Sequence, residues 1–300
     1  MNKVAFLFPG QGSQFIGMAE DSYLYDTAND ILGYDIKDIC NNGPLEKLNS
    51  TIVSQPAIFI ASAVMLEIFD TMMPEIFPSF VAGLSLGEYT ALYAAGVINF
   101  ETGLMLVQER AEWMQGAVDR SKGGMVSIIG LDEEKVRELC KVAAEDEYLT
   151  LAIFNCPSQI VISGDIVACY RVVLLAKECG AIKAIKLDVA GAFHSKMMRY
   201  AVSGLKDVLW HHIDQDYQIP SDVKIISNVD AEYYVDDNNI RNNLAVQLIQ
   251  PILWQKCMER LIRDGADEFY EIGPGRTLTG LMKRIDRKQK IFHVLDVLKK

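Results

Sequence analysis

Ser85 lies in Gly83-Leu84-Ser85-Leu86-Gly87, between a run that reads as a strand (79–83, SFVAG) and a segment that reads as a helix (86–95, LGEYTALYAA) ending near Gly96. A serine nucleophile must project from a tight strand-to-helix turn, and glycines on either side tolerate the strained backbone and the close approach of neighbours. The N–H groups that open the following helix point at the same spot and can hold an oxyanion. The chemistry these features suit is acyl transfer through an acyl-serine. A bare G-x-S-x-G arises by chance in roughly one chain in ten of this length, so its weight comes from the strand–turn–helix setting. The competing reading is a glycine-rich turn with a capping serine.

Four histidines compete to be the base. His211 and His212 close a predicted helix, where polar and cationic groups are common. His194 stands in AGAFHS (190–195) just before a predicted helix, whose N-terminus disfavours imidazolium and keeps the ring able to accept a proton. Taken alone, it reads as a helix cap. His293 lies near the C-terminus. The choice separates two enzyme types. A serine hydrolase or esterase of α/β-hydrolase type runs serine, acid, then a late histidine, which selects His293 with Asp264 or Asp267. An acyltransferase uses His194 and needs no carboxylate.

Arg110 shares a helical face with Val107 and Met114, and its neighbours three and four residues away are Leu106, Val107, Trp113 and Met114. None is acidic, so no local ion pair is available. An arginine aimed at the core needs an anion. That anion is either a distant Asp or Glu or a substrate carboxylate held by two parallel N–H···O bonds.

The elements that must position these residues alternate between strand and helix. KVAFLF (3–8) reads as a buried strand closed by Pro9-Gly10-Gln11-Gly12-Ser13. Residues 55–69 read as an apolar helix and 101–118 as an amphipathic one. Strand 124–130, helix 132–145, strands 149–153 and 159–163, helix 165–179 and strand 183–188 follow. That βαββαβ order is the ferredoxin-like unit. A helix over 195–210, a strand over 223–227, helices over 240–249 and 251–263 and a strand over 268–272 complete the pattern. The expected fold is α/β: a large α/β-hydrolase-like domain with a mainly parallel sheet (1–123 and 191–300) and a small inserted ferredoxin-like subdomain (124–190).

Composition narrows the classes. Half of the 300 residues are apolar, enough for a large core. A net charge of −11 disfavours nucleic-acid binding. The six cysteines, Cys40, Cys140, Cys156, Cys169, Cys179 and Cys257, are scattered, which supports neither a metal site nor a disulfide framework. The apolar run in the opening MNKVAFLFPGQGSQ is too short for a signal peptide. No run approaches the roughly 18 apolar residues of a membrane span, and the protein reads as cytoplasmic. With no obvious exposed apolar stripe, a monomer is expected.

Several ordered segments together resemble the malonyl-CoA:acyl-carrier-protein transacylases, over about residues 4–285: FPGQGSQ (8–14), GLSLGEYTAL (83–92), ERAEWMQ (109–115), GAFHS (191–195), SNVDA (227–231), QLIQPILW (247–254) and EIGPGRTLTGL (271–281). The resemblance implies that Ser85 is acylated, that His194 is its base, and that the backbone N–H groups of Gln11 and Leu86 form the oxyanion hole. It implies that the Gln247 carbonyl orients the imidazole and that Arg110 binds the malonyl carboxylate. Met114, Phe193 and Asn155 carry over as substrate-binding positions. Two departures stand out. Leu84 occupies a place where the family usually has histidine, and Asn155-Cys156-Pro157-Ser158-Gln159 stands for Asn-Ser-Pro-Gly-Gln.

The implied reaction moves malonyl from malonyl-CoA to the phosphopantetheine thiol of acyl carrier protein, in fatty-acid or alternatively polyketide synthesis. CoA enters as a substrate, and no cofactor or metal is expected. The carrier is expected to be acidic, so a chain at −11 needs a local basic patch to receive it. The candidates are Lys183, Lys186, Lys196 and Arg199, or the cluster Lys283, Arg284, Arg287, Lys288 and Lys290.

Overall fold

KVAFLF becomes β1 (Lys3–Phe8), and its side chains alternate between two cores. Val4, Phe6 and Phe8 enter one apolar cluster, while Ala5 and Leu7 enter another with Trp254 and Phe269. A strand buried on both faces is the signature of a central parallel strand. The computed structural model describes residues 3–213, 220 and 222–297. After β1 come α1 (Leu24–Leu32), α2 (Ile36–Asn42), α3 (Leu45–Asn49), α4 (Thr51–Met72), β2 (Pro78–Gly83), α5 (Gly87–Ala94) and α6 (Phe100–Val118). Then follow β3 (Gly123–Ile129), α7 (Glu133–Ala144), β4 (Leu149–Cys156), β5 (Gln159–Asp165), α8 (Ile166–Glu178) and β6 (Lys183–Lys186). A 3-10 turn (Lys196–Met198) leads into α9 (Arg199–His212), β7 (Lys224–Ile225), α10 (Asp237–Gln247), α11 (Trp254–Arg263), β8 (Ala266–Glu271), α12 (Thr277–Ile285), β9 (Lys290–His293) and α13 (Val294–Val297).

The large sheet has the order β7-β2-β1-β8-β9, and every pair is parallel. The small sheet, β4-β5-β3-β6, is antiparallel throughout. Its strand order and its two helices make the ferredoxin-like unit that the βαββαβ pattern predicts. Backbone bonds tie it to the rest: Phe154 N donates to Ile252 O and Ile252 N to Ala152 O, each at 2.9 Å.

Three local differences have physical causes. The predicted helix 195–210 is split, because the Ser195 hydroxyl accepts from Met197 N and donates to Ala192 O, capping a short 3-10 turn before α9. The strand expected over 223–227 pairs with β2 only at Lys224 and Ile225, and Ile226 bridges Tyr233 instead. The third difference is α4. Its 22 residues have a window of mean hydropathy 1.8, long and apolar enough to cross a membrane, contrary to the expectation that no such run exists. Yet 83% of that window is buried inside the protein. A helix apolar all round is what the middle of a large core requires.

The structure also shows an apolar row that the sequence reading did not detect. Val167, Tyr170 and Leu174 are exposed along α8, and Ile182 and Ile185, which follow it in the chain, are exposed as well.

For the site, the decisive feature is the shared end of β1 and β2. Phe8 pairs with Gly83, so the loop after β1 and the turn after β2 leave the sheet side by side. Crevices at the carboxyl ends of parallel strands are where α/β proteins bind ligands.

Candidate active site

The turn after β2 holds Ser85 at φ 54°, in the left-handed region that a residue with a Cβ rarely adopts. Its backbone N–H donates to Asn228 Oδ1 at 2.7 Å, and Asn228 Nδ2 donates to Gly83 O at 2.8 Å. One asparagine side chain therefore clamps both ends of the turn. The glycines serve close approach. A Cβ on Gly83 would fall 1.8 Å from Gly87 C, one on Gly87 would fall 2.2 Å from Phe8 O, and one on Gly10 would fall 2.3 Å from Leu84 O.

Ser85 Oγ lies 2.9 Å from His194 Nε2, and His194 Nδ1 lies 2.8 Å from Gln247 O. A carbonyl oxygen only accepts, so Nδ1 carries the proton and Nε2 presents its lone pair to the Ser85 hydroxyl. The ring is thus in the tautomer of a general base, oriented by a backbone carbonyl where a triad would use an acid. Burial drives the imidazole pKa down to about 4; the Gln247 carbonyl opposes the shift and the nearby Arg110 charge adds to it. This corrects the sequence argument: burial, rather than the following helix N-terminus, accounts for the neutral ring. His194 is also left-handed, at φ 56°. Two of the five such non-glycine residues among those described are therefore the paired serine and histidine, and local strain of this kind clusters at functional sites.

Arg110, on α6, is buried with its guanidinium turned to the same point. Nη2 donates to Ser85 Oγ at 3.0 Å and to Gln247 Oε1 at 2.9 Å, while Nη1 donates to Gln55 Oε1. Its carbon sits 5.6 Å from the centre of the Tyr89 ring. Among the described residues no carboxylate hydrogen-bonds this guanidinium, and Nε has no partner. Burial lowers the Arg110 pKa, but a guanidinium stays protonated in proteins. The result is a buried cation held by neutral groups, the setting in which an incoming carboxylate gains most.

These groups line one pocket of about 80 Å³, with Gly10, Gln11, Leu84, Ser85 and Leu86 on the strand-end side. Arg110 and Met114 come from α6, Met125 and Ile153 from the small sheet, and Leu187, Val189, Phe193 and His194 from the returning chain. Among the described residues, the backbone N–H groups of Gln11 and Leu86 donate to no protein acceptor, so both are free to serve an oxyanion there. Leu84 gives the pocket an apolar wall, and the Ser85–His194 contact forms with leucine in that place. Two predicted positions are not in the pocket lining: Gln247, which touches His194 and Arg110 from behind it, and Asn155. Asn155 is buried on β4, two residues beyond Ile153. Among the described residues, no group of three or more His, Cys, Asp or Glu side chains could hold a metal ion.

The alternative base is accounted for elsewhere. His293 donates from Nε2 to Gly273 O at 3.1 Å and accepts from Leu295 N at Nδ1. Asp264 is taken by Tyr233 and Arg260. The hydrolase-type arrangement is therefore not assembled around Ser85.

Sequence reasoning missed the polar layer beneath the serine. Gln247 uses its side chain as well as its carbonyl: Nε2 donates to Ser85 O at 3.1 Å and to Glu88 Oε2 at 2.6 Å. Glu88 also accepts from the Tyr234 hydroxyl and from Asn228 N. Gln55 was visible as a polar residue inside the apolar α4, and Glu88 as an acid one turn after the serine on a buried helix. Their partners are set by tertiary contacts, Gln55 with Arg110 across 55 positions and Glu88 with Gln247 across 159, which no local pattern encodes.

Comparison with known proteins agrees with this geometry. Residues 5–291 match the acyl transferase domain family. The chain is 41% identical to the malonyl CoA-acyl carrier protein transacylase of Bacillus subtilis (strain 168), in an alignment covering 99% of this chain and 94% of the relative. The crystal structure of an acyl-carrier-protein S-malonyltransferase from Burkholderia pseudomallei 1710b superposes with a TM-score of 0.92 at 36% identity, covering 99% of this chain and 100% of that one. A malonyl-transacylase solved in complex with a type II PKS acyl-carrier protein superposes with a TM-score of 0.92 at 35% identity, covering 99% of each chain. With Ser85, His194 and Arg110 converging on one pocket, the chain belongs to the acyl transferase family, in the branch of the malonyl CoA-acyl carrier protein transacylases.

Proposed function

We propose that this protein moves a malonyl group from malonyl-CoA to the phosphopantetheine thiol of acyl carrier protein, through a malonyl ester on Ser85. The observation that carries this reading is the position of one hydroxyl, 2.9 Å from a neutral histidine nitrogen and 3.0 Å from a buried guanidinium. Arg110 donates to Oγ, so the hydroxyl hydrogen is left to point at His194 Nε2. His194 takes that proton as Oγ attacks the thioester carbonyl. The oxyanion sits on the N–H groups of Gln11 and Leu86; losing one such donor typically costs about 2.7–4 kcal/mol. The tetrahedral intermediate collapses, CoA thiolate leaves with the proton from His194, and malonyl-Ser85 remains. The carrier thiol then enters the same path and the steps reverse, so the two half-reactions share one site.

Arg110 supplies selection. An acyl group without a carboxylate leaves the buried charge unmatched, and sites built for a polar partner discriminate by about 10⁴-fold or more. The free thiols of all six cysteines suit a reducing compartment, and we assign the reaction to the cytoplasm. The test is Arg110→Ala, assayed with malonyl-CoA and acetyl-CoA in parallel. Malonyl transfer should fall by at least about a hundredfold more than acetyl transfer. Equal losses would remove Arg110 from this role.

A further inference from the structure

Among the described residues two carboxylates are buried, Glu88 and Glu271. Glu271 accepts from Leu278 N and Thr279 N at the start of α12. Glu88 faces the nucleophile instead. One of its oxygens accepts from Gln247 Nε2, and the amide oxygen of that same Gln247 accepts from Arg110 Nη2. A single side-chain amide therefore separates a buried acid from the buried guanidinium. A direct Glu–Arg pair would have filled the place where a substrate carboxylate must bind. The amide spacer prevents that contact while leaving the two charges within electrostatic reach.

We propose that Glu88 tunes specificity through Arg110: its carboxylate, held one amide away, offsets part of the guanidinium charge and moderates the grip on an acyl-group carboxylate. The inference rests on Arg110 being the malonyl carboxylate site. It answers a requirement of the cycle. The carboxylate-bearing acyl group must be bound from one thioester and released on another, and binding an intermediate too firmly slows turnover. Unmoderated, a fully desolvated guanidinium would hold it tightly.

The groups facing Glu88 are few. Tyr234 and Asn228 come from the segment after β7, with Asp230 nearby; Gln247 comes from α10, Arg110 from α6, Tyr89 from α5 and Cys257 from α11. Burial raises the Glu88 pKa to about 7, against the hydrogen bonds from Tyr234, Gln247 and Asn228. Its charge therefore changes within the working pH range of a cytoplasmic enzyme.

Glu88→Gln isolates the charge. Its amide oxygen can accept from Gln247 and Asn228, and its amide nitrogen can donate to the Tyr234 oxygen, so the contacts survive. The measurement is kcat and KM for malonyl-CoA and for acetyl-CoA in the full-length enzyme. At pH 8, Glu88→Gln should lower KM for malonyl-CoA by about tenfold and leave KM for acetyl-CoA unchanged. In an Arg110→Ala background the same substitution should no longer change the malonyl-to-acetyl ratio. An unchanged or raised malonyl KM, or an equal effect in the Arg110→Ala background, overturns the inference. If Glu88→Gln does not fold, the wild type supplies the test: its malonyl-to-acetyl preference should fall as pH rises through about 7, and a flat preference overturns the inference. Failure of the underlying reading is distinct, because then Arg110→Ala alone leaves the preference unchanged.

Discussion

The protonation state of His194 gives the site its pH range. Its pKa lies near 4 because the ring is buried, so the base stays neutral far below the ordinary histidine range. At saturating malonyl-CoA, the single-turnover rate of Ser85 acylation should be flat from pH 8 to about pH 5 and fall only through about pH 4. A midpoint near 6.5 would show that the ring is solvated in the working enzyme. The same shift bears on stability. The unfolded histidine takes up a proton below about 6.5 while the folded one does not, so His194 makes stability fall as pH drops from there towards 4. Glu88 has the opposite sign: its folded pKa is raised, so its burial costs stability as pH rises from about 4.5 to 7. Ser85 and Arg110 were legible in the sequence because each breaks a local expectation, a serine between glycines and an arginine on an apolar face, whereas His194 alone reads as a helix cap and stood out only through the family resemblance. Asn228, Glu88 and the Gln247 amide were not legible, since their roles depend on partners brought close only by the fold.

At the scale of elements, the strand–turn–helix unit works only if backbone passes against backbone. Gly87 opens α5 directly over Phe8 O, and its added Cβ would meet that oxygen at 2.2 Å. Gly280, within α12, has nothing within 4 Å of the same position. Gly87→Ala should therefore destabilise by about 1–3 kcal/mol and remove acylation by shifting Ser85. Gly280→Ala should stabilise by about 0.5–1 kcal/mol and leave activity unchanged. Chemical denaturation of both variants checks the pair, and equal effects would contradict the packing account. Most strands and long helices were readable from apolar runs and helical periodicity. The short α1–α3 and the four-residue β9 were not, because elements of that length carry too few turns or alternations to form a pattern.

For the molecule as a whole, the pocket has walls from both sheets, and the small sheet is joined to the large unit by the paired bonds at Ile252. Arg284 strengthens the join by reaching Gln159 and Pro157 O at the β4–β5 turn. Beside it, Lys283, Arg287 and Lys290 line a groove with Ile291 and Phe292. Among the described residues, none of those three cations is ion-paired. Reversing their charge should slow transfer from malonyl-Ser85 to the carrier by about tenfold and flatten its salt dependence. Acylation by malonyl-CoA should be unaffected. Unchanged carrier transfer would direct attention to Lys183, Lys186, Lys196 and Arg199. The α/β class and the inserted unit were legible from element order, whereas the meeting of both sheets at one pocket was not.

The central claim is that Ser85 carries the acyl group, and intact mass spectrometry after mixing with malonyl-CoA, without carrier protein, tests it directly. The wild type should gain one malonyl group and Ser85→Ala none. Equal labelling of the two proteins, or no labelling of the wild type, would contradict it.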